Sequence, residues 1–160
     1  ISMITVHGRS WKQGFSGRAD WKSISEVAAC VSIPVIGNGD IGSHREAENL
    51  LRTSGCSAIM IGRAAIGNPW VFSRTPRPTD VRAQARTALR HCRLLQDHLD
   101  APQRRLASIK HHLGSYFKDC RGARHLRQSI YALQSFTELC TFLAEHAEQE
   151  MEPDNGSHQL

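Results

Sequence analysis

The sequence predicts an α/β fold in its front part, a parallel sheet covered by helices, followed by an all-helical segment. Two observations carry this. Residues 1–75 alternate short, β-branched apolar runs with longer stretches of helical spacing, and the apolar runs are continuous, as in strands buried on both faces. Beyond the breaker Pro76-Arg77-Pro78-Thr79 the apolar positions recur only at helical spacing. The expected domains are therefore residues 1–75, residues 76–148 and a tail, 149–160. The tail, rich in breaker residues and low in hydrophobicity, is expected to be disordered.

The elements follow in order. ITVHG is a short buried strand. DWKSISEVAACV places Trp21, Ile24, Val27, Ala28 and Val31 on one helical face. IPVIG is a second strand, with Pro34 at its start, where a missing N–H does least harm. Ser43-His44-Arg45-Glu46 reads as a capping box, with Glu46 reaching back to the Ser43 amide. The helix it opens carries Ala47, Leu50 and Leu51 inward and stops at Gly55. SAIMIG is the third strand. In the helical segment, Thr79-Asp80 caps a helix to about Leu99, and Ala101-Pro102 breaks it. Further helices are expected over 103–117, 123–134 and 136–148.

The 160 residues include no apolar run of the roughly 20 residues that cross a bilayer, so no membrane partner and a cytoplasmic location are expected. The five cysteines are scattered without a CxxC pair, which argues against a disulfide framework or a zinc site. The chain begins at Ile1, inside a strand, which predicts that it is part of something larger. Charge is uneven: residues 1–73 carry a net +2, residues 74–127 a net +9 and residues 128–160 a net −6.

Chemistry concentrates where strands end. Gly37-Asn38-Gly39-Asp40 closes the second strand, and Gly62-Arg63-Ala64-Ala65 repeats the arrangement one strand later. Glycines let a ligand approach the backbone, and the first-turn amides of a following helix attract anions. Each loop alone is more often just a turn. The pair, with one Arg, points to a phosphate-bearing cofactor. His7-Gly8-Arg9 ends the first strand on the same side; alone, it reads slightly better as a surface His beside a turn than as a site residue.

ITVHGRSWKQGFSGRADW, IPVIGNGDI and AIMIGRAAIGNPWVF closely resemble the C-terminal half of the tRNA-dihydrouridine synthases, and IKHHLGSYFKDCRGARHLRQSI resembles their helical domain. The resemblance covers Ile1 to about Leu143. It implies a partial TIM (β/α)8 barrel, here its sixth to eighth strands, followed by an all-α helical domain that grips tRNA. It implies FMN as cofactor, NADPH as reductant and reduction of a tRNA uridine to 5,6-dihydrouridine. Asn38, Gly39, Asp40, Gly62 and Arg63 match positions that bind FMN, chiefly at its phosphate end, and His7 matches a His near the flavin ring. The family's proton-donating Cys would lie upstream of Ile1. No catalytic residue is therefore expected in this chain, and the chain alone is expected to be inactive. Family members usually carry an Arg where Trp11 stands, and an exposed Trp there offers a ring on which a base can stack.

Arg82, Arg86, Arg90 and Arg93 follow 4,4,3 spacing, one stripe on a helix. A segment of such positive charge attracts a phosphate backbone. The RNA-facing candidates are Arg9, Arg86, Arg90, Lys110, Arg121, Arg124 and Arg127. His91, His98, His111 and His112 lack ligand partners at metal spacing and read as polar helix surface, so no metal is expected. No stable protein partner is expected. Two other readings stand beside the synthase: an FMN barrel oxidoreductase of the dihydroorotate dehydrogenase type, and a non-catalytic RNA-binding remnant. The basic helical segment argues against the first of these, because a small substrate needs no phosphate-gripping domain.

Overall fold

A computed structural model describes residues 1–148; the tail expected at 149–160 lies outside the described residues. The chain divides into two compact units, Ile1–Arg77 and a second that begins at Pro78.

The front unit is a three-stranded parallel sheet in the order β1 (Ile4–His7), β2 (Val35–Asn38), β3 (Ala58–Met60). Its register aligns His7 with Asn38, and Asn38 with Met60, so all three strands end in one row. Parallel strands need crossovers. These are α1 (Trp21–Cys30) and α2 (His44–Thr53). Asp20 caps α1, accepting from the amides of Lys22 and Ser23 at 3.0 and 3.2 Å. The unit's core is Ile24, Val35 and Cys56, with Ile4, Val6, Trp21, Ala28 and Ile59 packed against it. Burying a side chain such as the fully enclosed Ile24 stabilises by about 1.5–3 kcal/mol.

Two details of α2 differ from the sequence expectation. Ser43 Oγ does accept from the Glu46 amide, at 3.2 Å, but the Glu46 carboxylate reaches one residue further back, to the Gly42 amide at 2.7 Å. Leu51 is exposed rather than inward. Ala47 and Leu50 are half-buried, and Leu51 lies about 100° around the helix from Leu50.

The second unit is helical: α3 (Val81–His98), α4 (Leu106–Gly114), α5 (Ala123–Ala132) and α6 (Phe136–Glu148). Asp80 caps α3 through the amides of Arg82 and Ala83. Ala85, Ala88 and Cys92 of α3 and Leu139 and Leu143 of α6 are buried, as are Ile109, Leu113, Phe117 and Ile130 around α4 and α5. Burial pushes the Cys92 thiol well above the usual range, with Cys140 as its neighbour.

The helix expected over 103–117 is shorter. Pro102–Arg105 forms a 3₁₀ turn, entered from a left-handed Ala101 at φ 53°. The amides of Ser115, Tyr116 and Phe117 then bond three residues back, tightening the C-terminal end. The helix expected over 123–134 ends at Ala132, where Leu133 turns extended, and the Lys110 ammonium takes the carbonyls of Tyr131 and Leu133, both at 2.8 Å. Among the described residues no helix is long and apolar enough to cross a membrane.

Candidate functional site

The common end of the three strands opens into a cleft of about 650 Å³ in the front unit. It is lined by His7, Asn38 to Gly42, Met60 and Gly62 to Ala64, together with Phe15. The six positions expected to bind cofactor, His7, Asn38, Gly39, Asp40, Gly62 and Arg63, thus meet at one place, although they come from three strand ends.

The sequence dictates how each is held. Asn38 is the last residue of β2, and its Nδ2 donates to the Met60 carbonyl at 2.7 Å, fastening two strand ends together. Gly39 has φ 140°, and a Cβ there would lie 2.5 Å from the Ala19 Cβ, so only glycine lets the chain turn at this point. Its carbonyl accepts from the Trp21 indole at 3.0 Å. Gly62 differs: a Cβ built on it meets no atom within 4 Å, so the space beside it belongs to the cleft.

Asp40 organises the charges. One carboxylate oxygen accepts from Arg9 Nη2 at 2.6 Å and from the Ala19 amide at 2.8 Å; the other accepts from Arg63 Nη2 at 3.3 Å. The Ala19 amide, then the Arg9 guanidinium and the charge of Arg63, hold its carboxyl below the usual aspartate range. A carboxylate fixed on two arginines repels a phosphate directly. The side chain of Asp40 therefore positions Arg63, and a phosphate has only the backbone amide of Asp40 to meet. Arg63 itself is 62% exposed at its side chain and retains N–H donors for an anion.

Arg9 is the clearest departure from the expected RNA-facing set. Its side chain is 4% exposed. Its Nε donates to the Ser16 carbonyl at 3.0 Å and its Nη2 to the Gly17 carbonyl at 2.8 Å, besides Asp40. It ties the loop after β1 to the cleft, with its side chain buried rather than exposed. That loop supplies a residue the sequence reading missed. Phe15 lines the cleft, and the Arg63 guanidinium sits 5.0 Å from its ring centroid. The available signal was a lone aromatic between Gly14 and Gly17, both of which take positive φ.

In the helical unit the basic candidates divide into two sets. Arg86, Arg90, Arg121 and Arg124 are exposed, as are Arg93, Arg104, Arg105 and Lys118. Lys110 and Arg127 are turned to structure instead: Lys110 caps α5, and Arg127 Nη1 donates to the Phe117 carbonyl at 2.6 Å. Arg82 leaves the expected stripe, donating from Nε to the Ala147 carbonyl at 3.2 Å. Lys110 and Arg127 reach helix-end or loop carbonyls that lack an intrahelical partner. His91, expected as helix surface, is half-buried; its Nδ1 lies 3.3 Å from the Tyr116 hydroxyl and its ring centroid 6.5 Å from that of His112. Burial, then the charge of His112, pushes its pKa down.

The family model for dihydrouridine synthase (Dus) matches residues 1–152. Among curated relatives, a probable tRNA-dihydrouridine synthase of Aquifex aeolicus is 30% identical over 155 residues, covering 94% of this chain and 49% of that protein. The tRNA-dihydrouridine synthase B of Xanthomonas campestris is 38% identical over 128 residues, covering 74% of this chain and 38% of that protein. A probable tRNA-dihydrouridine synthase of Rickettsia conorii is 50% identical over 74 residues, 46% of this chain and 22% of that protein. The chain spans about half the length, or less, of these relatives. With the family model matched along nearly its whole length, the chain belongs to the dihydrouridine synthase family.

Proposed function

We propose that this chain supplies the last three βα units of an FMN-binding barrel and a tRNA-docking helical unit to a tRNA-dihydrouridine synthase. The observation that carries the cofactor site is Arg63, exposed in the cleft and steadied by Asp40 and Phe15, beside the open space at Gly62. These residues fit a flavin phosphate: a fixed guanidinium offers N–H donors in the geometry a phosphate takes, and glycine leaves the approach clear. Bound FMN, recharged by NADPH, would supply the hydride that reduces uracil at C6.

The chain's own residues prepare the site. Arg63 neutralises the phosphate. Asn38 holds the ends of β2 and β3 at fixed separation. His7, exposed in the cleft, can hydrogen-bond the polar edge of a flavin ring. No cysteine is among the residues that line this cleft. The exposed Arg86, Arg90, Arg121 and Arg124 give the helical unit its attraction for a phosphate backbone. The target uridine must leave its stack to reach the cleft, at a cost of a few kcal/mol. The family match favours this reading over an oxidoreductase of the dihydroorotate dehydrogenase type.

The test is a titration of FMN into the purified chain, followed by flavin fluorescence, with Arg63→Ala and Gly62→Val as variants and an electrophoretic shift with a tRNA transcript alongside. Saturable binding that both variants weaken, with a tRNA shift, is the expected result. Binding indifferent to both substitutions would remove the assigned phosphate site, and absence of a tRNA shift would remove the docking role.

A further inference from the structure

The loop Ser10–Gly17 after β1 is built as a rigid mount, yet it displays its largest side chain to solvent. Trp11 is 99% exposed and Phe15 78% exposed. The loop beneath them is cross-tied. The Gln13 amide bonds the Ser10 carbonyl at 3.1 Å, the Gly14 amide the Trp11 carbonyl at 3.3 Å and the Ser16 amide the Gln13 carbonyl at 2.9 Å. The Gln13 side chain accepts from the Ser10 amide at 2.9 Å, and the Ser16 hydroxyl donates to the Gln13 carbonyl at 2.8 Å. Arg9 clamps the far end through Ser16 and Gly17, and Asp40 joins that clamp to Arg63, over which Phe15 lies.

The loop reaches the cleft through Phe15, and its ties hold the backbone that carries Trp11 without having to order it on binding, which lowers the entropic cost of a contact made there. Lys12, next to Trp11 in the chain, and Arg18, just past the loop, are exposed, and the loop carries no acidic residue. A large aromatic among cations, on a rigid support, suits an unstacked nucleobase attached to a phosphate chain.

We infer that Trp11 is a specificity-determining residue that stacks on an unpaired base next to the uridine entering the cleft, so that the loop grips single-stranded RNA. The inference rests on the tRNA reading above and goes beyond it, since it selects for an unpaired nucleotide rather than for tRNA charge. Phe15, exposed at the cleft against Arg63, marks the cofactor end of the loop, and Trp11 marks the RNA end.

The experiment compares the full 160-residue chain with Trp11→Ala, Trp11→Phe and Lys12→Ala. The probes are a labelled short oligouridylate, the corresponding RNA duplex and a tRNA transcript, each titrated over a range of salt. Stacking predicts that Trp11→Ala weakens oligouridylate binding about 5-fold or more, while Trp11→Phe retains most of the affinity. It also predicts that Trp11→Ala leaves duplex binding and the salt slope unchanged, whereas Lys12→Ala makes the slope shallower. Equal oligouridylate affinity in wild type and Trp11→Ala, or equal losses on oligouridylate and duplex, would overturn the inference while leaving tRNA docking intact. A wild type that binds no RNA would overturn both. Because Trp11 touches solvent on nearly all sides, unfolding midpoints should match across the variants; a shifted midpoint in Trp11→Phe would assign the ring a structural role and overturn the inference.

Discussion

Gly39→Ala tests whether the cleft depends on the turn that closes β2. Gly39 sits at φ 140°, where an L side chain is strained, and its added Cβ would stand 2.5 Å from the Ala19 Cβ and 3.3 Å from His7 Nδ1. Carbon atoms rest about 3.5–4.0 Å apart, so Ala19 must retreat by about 1 Å or more. That retreat pulls on the Ala19 amide, whose 2.8 Å bond to Asp40 helps fix the arginines. Backbone strain of this kind costs about 1–3 kcal/mol, and overpacking about 1–3 kcal/mol more. The sum, roughly 2–6 kcal/mol, is a large share of the ~5–15 kcal/mol that holds a domain folded. Trp11, Trp21 and Trp70 all lie in the front unit, so urea unfolding followed by tryptophan fluorescence reads that unit alone. Adding Ala19→Gly to Gly39→Ala removes the clash and keeps the strain, so about 1–3 kcal/mol should return. A Gly39→Ala variant within about 0.5 kcal/mol of wild type would refute the reasoning, as that is the range of an ordinary surface change.

Three further outcomes follow from the helical unit. Arg86→Ala with Arg90→Ala should weaken tRNA binding and make its salt dependence shallower, by about one unit of slope for each phosphate no longer neutralised, without moving the unfolding midpoint. Arg127→Ala should instead cost about 1.5–3 kcal/mol of stability by removing the bond to the Phe117 carbonyl, so equal effects of the two changes on stability would contradict the division between exposed and structural cations. His91, packed against Tyr116 and His112, binds its proton less readily when folded than when unfolded. The unfolded chain therefore takes up more protons as pH falls through the ordinary histidine range. The stability His91 contributes is complete above that range and is lost below it. Urea midpoints for wild type and His91→Phe, measured at neutral pH and near pH 5, check this: the wild type should lose more on acidification, and parallel losses would refute it.

Much of the architecture was legible in the sequence. Continuous apolar runs ending at His7, Asn38 and Met60, separated by helical spacing, point to parallel strands with helical crossovers, because the crossover helices cover both faces of such a sheet. Asp80 and Ser43 announced helix starts because a short acceptor before a helical run meets amides that have no other partner. The gathering of Asn38, Asp40, Gly62 and Arg63 was legible for the same topological reason: parallel strands all end on one side.

What the tertiary structure decided was the destination of long charged side chains. Arg9 reads as a surface cation in sequence, yet its partner Asp40 lies 31 residues away and buries it. Lys110, Arg127 and Arg82 each looked like part of a basic face, and each ends on a carbonyl of another element. Helical periodicity assigns a residue to a face but does not say which neighbour covers that face, and a Lys or Arg stem is long enough to reach whichever carbonyl the packing leaves open. Phe15 escaped notice for a related reason. Its role comes from Arg63, a residue on another loop, and only the folded chain sets that guanidinium against its ring.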